Sequence, residues 1–263
     1  MKKTVIILAA IGLLFSCTRN KSKLDDFSVN TLSVKDSLQY PDEYLNEWDF
    51  SDVSYFQCEI DEPVTKNQAL HDSIVEWMAN QLVDVNEVSS RDLNELIKEC
   101  KDGFFDLESS EAGSESVVSL KLQEVCDSYV TFAESSYYYM GGAHGMSFSY
   151  GVTFDRITGK RFSFGMFQSL DGLNEIVMDG LVQQYFANEF DEGVEDLYEY
   201  LLIDSEEPFP LPYTQPWILH DSIHFCYSVY EIAPYFVGQP ECVFPYSEME
   251  RFLTEEGKGY FAR

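Results

Sequence analysis

Met146-Ser147-Phe148-Ser149-Tyr150-Gly151-Val152-Thr153-Phe154 alternates large apolar residues with small or polar ones without a break. That two-residue period describes a strand with one covered face, and in a chain that also carries helices it points to antiparallel sheet. Working upstream, Val118, Leu120 and Leu122 alternate with Ser119 and Lys121 in the same way. Downstream, the turn Asp155-Arg156-Ile157-Thr158-Gly159-Lys160 leads into Arg161-Phe162-Ser163-Phe164, which predicts a hairpin.

Further out the pattern changes period. Val53-Ser54-Tyr55-Phe56-Gln57-Cys58-Glu59-Ile60 is rich in strand formers and is expected to stop at Pro63. Leu70, Ile74, Trp77, Met78 and Leu82 then recur at steps of three and four, which predicts a helix with one buried face. A second helix is expected from Ser89, with Leu93, Leu96, Ile97 and Cys100 inward and Asp92 three residues after a serine cap. A third is expected over 173–188. Trp217-Ile218-Leu219, a turn at His220-Asp221-Ser222, and the alternating Ile223, Phe225, Tyr227 and Val229 read as strands again. Ser247 with Glu250 forms a capping-box pattern opening a last helix near Met249 to Glu255. Strands and helices mix without a βαβ rhythm, so the expected class is α+β, with antiparallel sheets and packed helices in two small subdomains.

The first residues carry a different message. Met1-Lys2-Lys3 is a short basic segment, Thr4 to Phe15 an apolar run, and Leu14-Phe15-Ser16-Cys17 resembles the lipobox of bacterial lipoproteins. The run is shorter than the roughly 20 apolar residues a membrane-spanning helix needs, so residues 1–16 are read as an export signal. Cys17 is then the lipidated residue, because a thiol at the cleavage point can carry diacylglycerol and two or three acyl chains anchor stably where one does not. Thr18 in place of Asp points to the outer membrane, with the face left open. Residues 17–46, polar and without an apolar period, are expected to be a flexible tether.

Composition limits the partners. The chain holds 17 basic and 46 acidic residues, a net charge of −29. Loss of a leader containing Lys2 and Lys3 makes it −31. Nucleic acid is excluded as a partner, since phosphate binding rests on Lys and Arg. Such a field favours cationic partners, although the same acidity also serves solubility. Apolar residues at 45% and aromatic ones at 15% rule out general disorder. With Cys17 spent on lipid, Cys58, Cys100, Cys126, Cys226 and Cys242 remain, an odd set without a close-spaced metal or redox pair. Most are read as buried small apolar residues, their pairing left open.

Three segments together carry a resemblance: Tyr139-Met140-Gly141-Gly142-Ala143-His144-Gly145, the hairpin from Phe154 to Lys160, and Tyr230-Glu231-Ile232-Ala233-Pro234-Tyr235 with Gly238 and Pro245-Tyr246. Over about residues 47 to 255 they resemble the two-part extracytoplasmic module of the anti-sigma factor RsiV and the peptidoglycan deacetylase PdaC. The resemblance implies a PdaC-like α/β domain over 47–160 and an RsiV-like domain over 161–263. The RsiV module is similar to a receptor for lysozyme, a cationic enzyme. Neither the sigma-binding segment of RsiV nor the deacetylase domain of PdaC is read in these residues, so RsiV-type signalling and deacetylation are not expected.

Candidate chemistry centres on Gly141-Gly142-Ala143-His144-Gly145. Glycines let backbone amides face a ligand and His144 could act as acid or base, but the same residues also suit a tight turn with a histidine bonded to backbone. Tyr139, Gly141, Gly142, His144, Tyr230, Glu231 and Tyr235 are the expected binding residues, and no catalytic group is assigned. His220 and His224 have the spacing of a zinc pair only on a helix, and here they flank a strand turn, so neither a metal nor a cofactor is expected. The acidic loops 106–116 and 191–212 are where a cationic protein such as lysozyme would be sought. The expected function is a non-enzymatic, membrane-anchored envelope binding protein, with a cell-wall carbohydrate binder or hydrolase using the cleft near His144 as the alternative.

Overall fold

The computed structural model describes residues 27–42, 51–82, 92–106, 112–187, 198, 201–203 and 208–262. Among them the strands form two sheets, one of five strands and one of three. In the first, β1 (Ser28–Gln39), β2 (Val53–Val64), β3 (Glu115–Val125), β4 (Tyr129–Tyr139) and β5 (Met146–Asp155) lie side by side in chain order. All neighbours are antiparallel except β2 and β3, which are parallel because α1 (Gln68–Leu82) and α2 (Leu93–Phe104) carry the chain across between them. The fold is α+β, with this one parallel pair inside an otherwise antiparallel sheet.

The helical period read in α1 is the buried stripe of the structure: Leu70, Ile74, Trp77, Met78 and Leu82 all face inward. They cover Phe56, Cys58 and Ile60 of β2, Val118 and Leu120 of β3, Val130 and Phe132 of β4, and Val152 and Phe154 of β5. Trp77 fixes the centre, its ring 6.0 Å from Phe132 and 6.1 Å from Phe154. The cap of α2 differs from expectation, since Asp92 itself is the cap and accepts from the amide of Asn94 at 2.9 Å. A carboxylate there also complements the positive end of the helix dipole. Ser89 lies outside the described residues.

Residues 28–39 correct the expected tether, for they form β1. Leu32 stands opposite Ile60 and Val34 opposite Cys58, so β1 closes the sheet beside β2. None of its residues is fully buried. Besides the backbone ladder, Val29, Leu32 and Val34 pack half-buried against the first core, a weak apolar pattern interrupted by Asp36. Pro63 does not end β2, which runs one residue further. Only Tyr55 to Ile60 pair with β3, so the proline lies past that ladder, where its missing amide hydrogen matters less.

A carboxylate is built into the first core. Glu134, 6% exposed on β4, accepts from Ser136 Oγ at 3.2 Å and, with the Gln81 amide turned so that its nitrogen faces the carboxylate, from Gln81 at 2.8 Å. Burial pushes its pKa up, and the hydrogen bonds only partly offset this. A raised folded pKa makes the protonated form the better fit, so the group's contribution to stability is full below the unfolded value and is lost as pH rises through the folded one. Glu134→Gln is therefore expected to raise the urea midpoint at pH 8 and to leave it little changed near pH 4. A variant less stable than wild type at pH 8 would contradict this.

The second sheet is β6 (Trp217–Leu219), β7 (Ser222–Cys226) and β8 (Glu241–Pro245), all antiparallel. The β6–β7 turn holds His220 at φ 51° and Asp221 at φ 57°, the pair of left-handed positions that a two-residue hairpin needs to match strand twist. Over this sheet lies α3 (Leu173–Gln184), burying Val177 and Leu181 against Ile223, Phe225 and Phe244. The chain ends in α4 (Tyr246–Met249), a 3-10 turn and α5 (Glu255–Gly259). This corrects the expected single helix: Leu253, fully buried and extended, breaks it by pairing with Phe167, and Thr254 caps α5 by accepting from Gly257 N at 3.1 Å. The hairpin after β5 is likewise shorter than expected, with a single Phe154–Arg161 bridge before a 3-10 turn at Phe164–Met166.

The two sheets meet through residues that look solvent-facing in the sequence. In β5, Gly151, Val152, Thr153 and Phe154 are all buried, so its second half is covered on both faces. The helices cover one face and β6 the other. Thr131 and Thr153, paired across β4 and β5, touch at 2.8 Å, and both reach Ile218 of β6. Ile218 N donates to Thr153 Oγ1 at 2.8 Å, and Thr131 Oγ1 donates to Ile218 O at 2.6 Å. At Gly151 a Cβ would lie 2.1 Å from Trp217 Cδ1, so only hydrogen fits there.

Candidate functional site

The chain between β4 and β5 and the segment before β8 come together at one edge of this joint. Gly141 and Gly142 sit at φ 88° and 91°, consecutive left-handed positions that residues with a Cβ adopt only at a cost. They turn the chain so that Tyr139 Oη donates to Gly142 O at 3.1 Å. Gly145 is pressed on Tyr137, where a Cβ would lie 2.4 Å from the ring. Its carbonyl accepts from Tyr235 Oη at 2.7 Å and faces His144 Nδ1 at 3.1 Å.

These contacts orient His144. With Nδ1 against a carbonyl, that nitrogen carries a proton, and Nε2 lies 3.4 Å from Tyr230 Oη. The imidazole stacks on Tyr235 at 3.7 Å and 21°, and Tyr235 lies 5.7 Å from Tyr230. Tyr230 is 48% exposed and held at φ 68°, a strained backbone for a bulky residue. Two further apolar residues are exposed, Met140 next to the glycines in sequence and Phe236 next to Tyr235.

Tyr139, Gly141, Gly142, His144, Tyr230 and Tyr235 are thus brought together as an exposed aromatic patch. Glu231 is not part of it. Its carboxylate accepts from Tyr213 N and Ser228 N, each at 2.7 Å, and so ties the turn that presents Tyr230. Burial pushes its pKa up, opposed by those amides. The described partners of His144 are a carbonyl, a hydroxyl and a ring, with no carboxylate to orient it as a base.

Sequence reasoning missed a second feature. A cavity of about 400 Å³ opens between the sheets, lined by His224, Glu241, Trp217, Cys226 and Gln239 among others. His224 Nδ1 lies 2.6 Å from Glu241 Oε1, and Trp217 stacks on the imidazole at 5.2 Å. No local spacing could reveal this pair, because Glu241 lies on β8, a strand whose short apolar pattern gave no signal. His220, spaced to match His224, instead donates its amide to Glu124 at 2.9 Å.

Cys58, Cys100, Cys126, Cys226 and Cys242 are all free thiols. Burial pushes Cys58 and Cys226 up to about 12, leaving them protonated and poorly nucleophilic. Among the described residues no three His, Cys, Asp or Glu side chains gather as a metal site. Cys17 and the leader lie outside the described residues, as do 107–111 of the 106–116 loop and much of 191–212.

Residues 168–247 match the family model described as a protein of unknown function, DUF3298. That segment contains α3, the second sheet and the Tyr230–Tyr235 half of the patch. The chain is also similar to the crystal structure of a DUF3298 family member from Bacteroides fragilis, at TM-score 0.68 and 17% identity over 89% of this chain and 96% of that one. A DUF3298 family protein from Pseudomonas aeruginosa gives TM-score 0.60 and 19% identity, over 87% and 96%. At these identities the likeness is one of fold. No curated protein matches the chain.

Proposed function

We propose that this chain is an envelope lipoprotein, anchored through Cys17, whose folded part is a non-enzymatic binding module for a cationic protein of the lysozyme kind. The observation that carries the reading is the exposed Tyr230–His144–Tyr235 cluster, held in place by a strained tyrosine. Strain at a surface residue is retained where the surrounding structure enforces it, and it concentrates at functional sites. Tyrosines add large contact area at small entropic cost, and their ring faces attract Arg and Lys side chains. A net charge of −29 adds attraction for a cationic partner at long range.

Lysozyme passed over the immobilised full chain at low ionic strength is expected to be retained, less so at physiological salt. Tyr235→Ala is expected to weaken binding about 30-fold, the scale of an interfacial hot spot, whereas Tyr235→Phe keeps the ring and most of the affinity. Absence of retention at low salt would remove this reading. The flat face of His144 on Tyr235 also favours a second one, stacking of a cell-wall sugar. Competition by soluble peptidoglycan fragments, sensitive to Tyr235→Ala, would support it.

A further inference from the structure

A cavity of about 420 Å³ lies where α1 faces the turn after β5, and it shares no residue with the aromatic patch. Ser73, Glu76 and Asn80 line it from one side of α1, at the spacing of a single helix face, and Lys160, Arg161 and Gln215 line it from the other. The turn is pinned rigidly to the helix. Asn67 Nδ2 donates to Arg156 O at 2.7 Å, and a Cβ at Gly159 would lie 2.5 Å from Ala69 O.

The charges within it are unevenly satisfied. Lys160 is paired with Glu256 at 2.7 Å. Gln215 spends its oxygen on Phe164 N at 3.0 Å, which leaves its amide hydrogens available to the cavity. Arg161 has neither an ion pair nor a hydrogen bond with any described residue, in a chain with 46 acidic side chains. Its side chain is solvent-exposed; desolvation by its neighbours lowers its pKa, opposed by the nearby Tyr150. A guanidinium in that position offers a planar fork of donors matched to two oxygens of one anion.

The geometry points to a small-molecule site in this cavity, with Arg161 gripping the carboxylate of a small organic acid and Gln215, Ser73 and Asn80 bonding its polar substituents. A single negative charge fits better than two. Glu76 stands on the same wall and the whole chain is strongly acidic, so each added ligand charge meets more repulsion. The volume falls in the lower part of the range of roughly 300–1,000 Å³ usual for such sites.

Saturation-transfer NMR on the full chain tests this with benzoate as a monoanionic carboxylate, benzamide as its neutral counterpart and inorganic phosphate as the competing oxyanion. Benzoate is expected to bind and benzamide not. Arg161→Gln is expected to weaken benzoate at least about tenfold, the loss of a charge-assisted pair, and Arg161→Lys to restore it only in part. Unchanged circular dichroism and melting of both variants would tie the loss to the side chain. Ser73→Ala gives an independent reading that leaves the charge intact and should weaken benzoate by a smaller factor. Failure of benzoate to bind, binding indifferent to Arg161→Gln, or preference for phosphate over benzoate would each overturn the assignment. Loss of lysozyme binding would not touch it.

Discussion

Replacing Trp217 by alanine is expected to lower the unfolding free energy by about 3–5 kcal/mol, the range for removing a buried large aromatic. Trp217 is 6% exposed, lies directly over Gly151 and stacks on His224. Its loss would enlarge a cavity already present beside it. That cavity is polar on its far side, so water can enter, and this moves the expected cost toward the lower end of the range. The partner substitution isolates the contact. Gly151→Ala pushes a methyl into the indole and should cost about 1–3 kcal/mol on its own. In the Trp217→Ala background the same methyl meets open space and should cost little. Urea unfolding of wild type, both single variants and the double variant closes the cycle, and additive losses would show that the two residues do not meet as described.

This contact also explains what could and could not be read from the sequence. The large half of the β5 pattern, from Met146 to Phe154, was legible because core packing demands it. The small half misled. Gly151 and Thr153 resemble residues turned to solvent, yet they form the seat for β6, and only the absence of Lys or Glu at those positions hints at a covered face. The α1 stripe was legible for the same reason as the large half, since one buried helix face imposes a period. β1 was not, because its half-buried Leu32, Val34 and Leu38 are interrupted by Asp36 and none of its residues is fully buried. At the candidate site, the glycines before His144 and the Tyr230–Tyr235 segment were both visible as local oddities. Their meeting across 86 residues came from the resemblance and not from spacing. Glu231 illustrates the limit: type and position in the motif were apparent, but its role in tying a turn depends on the amides of Tyr213 and Ser228, which only the fold brings to it.

The joint between the sheets offers a sharper test through two hydroxyls that look equivalent in the sequence. Thr131 and Thr153 are fully covered, face each other across β4 and β5, and both address Ile218. Their hydrogens can be placed. Thr131 donates to the Ile218 carbonyl, Thr153 donates to Thr131 Oγ1, and Thr153 accepts the Ile218 amide. Removing the Thr153 hydroxyl therefore takes away the acceptor of the buried Ile218 N–H, whereas removing that of Thr131 leaves Thr153 free to turn toward the carbonyl, 3.2 Å away. Thr153→Val is expected to cost about 2–3 kcal/mol, the upper part of the range for stranding a buried polar group. Thr131→Val should cost about 1 kcal/mol, near the net value of one hydrogen bond. Valine preserves shape in both, so the difference measures bonding and not volume. Thr153→Ser, which keeps the acceptor and gives up a methyl, should recover much of the loss. If both valine variants unfolded at the same urea concentration, the directional network would be wrong, and the hold of the second sheet on the first would have to come from Trp217 and its packing alone.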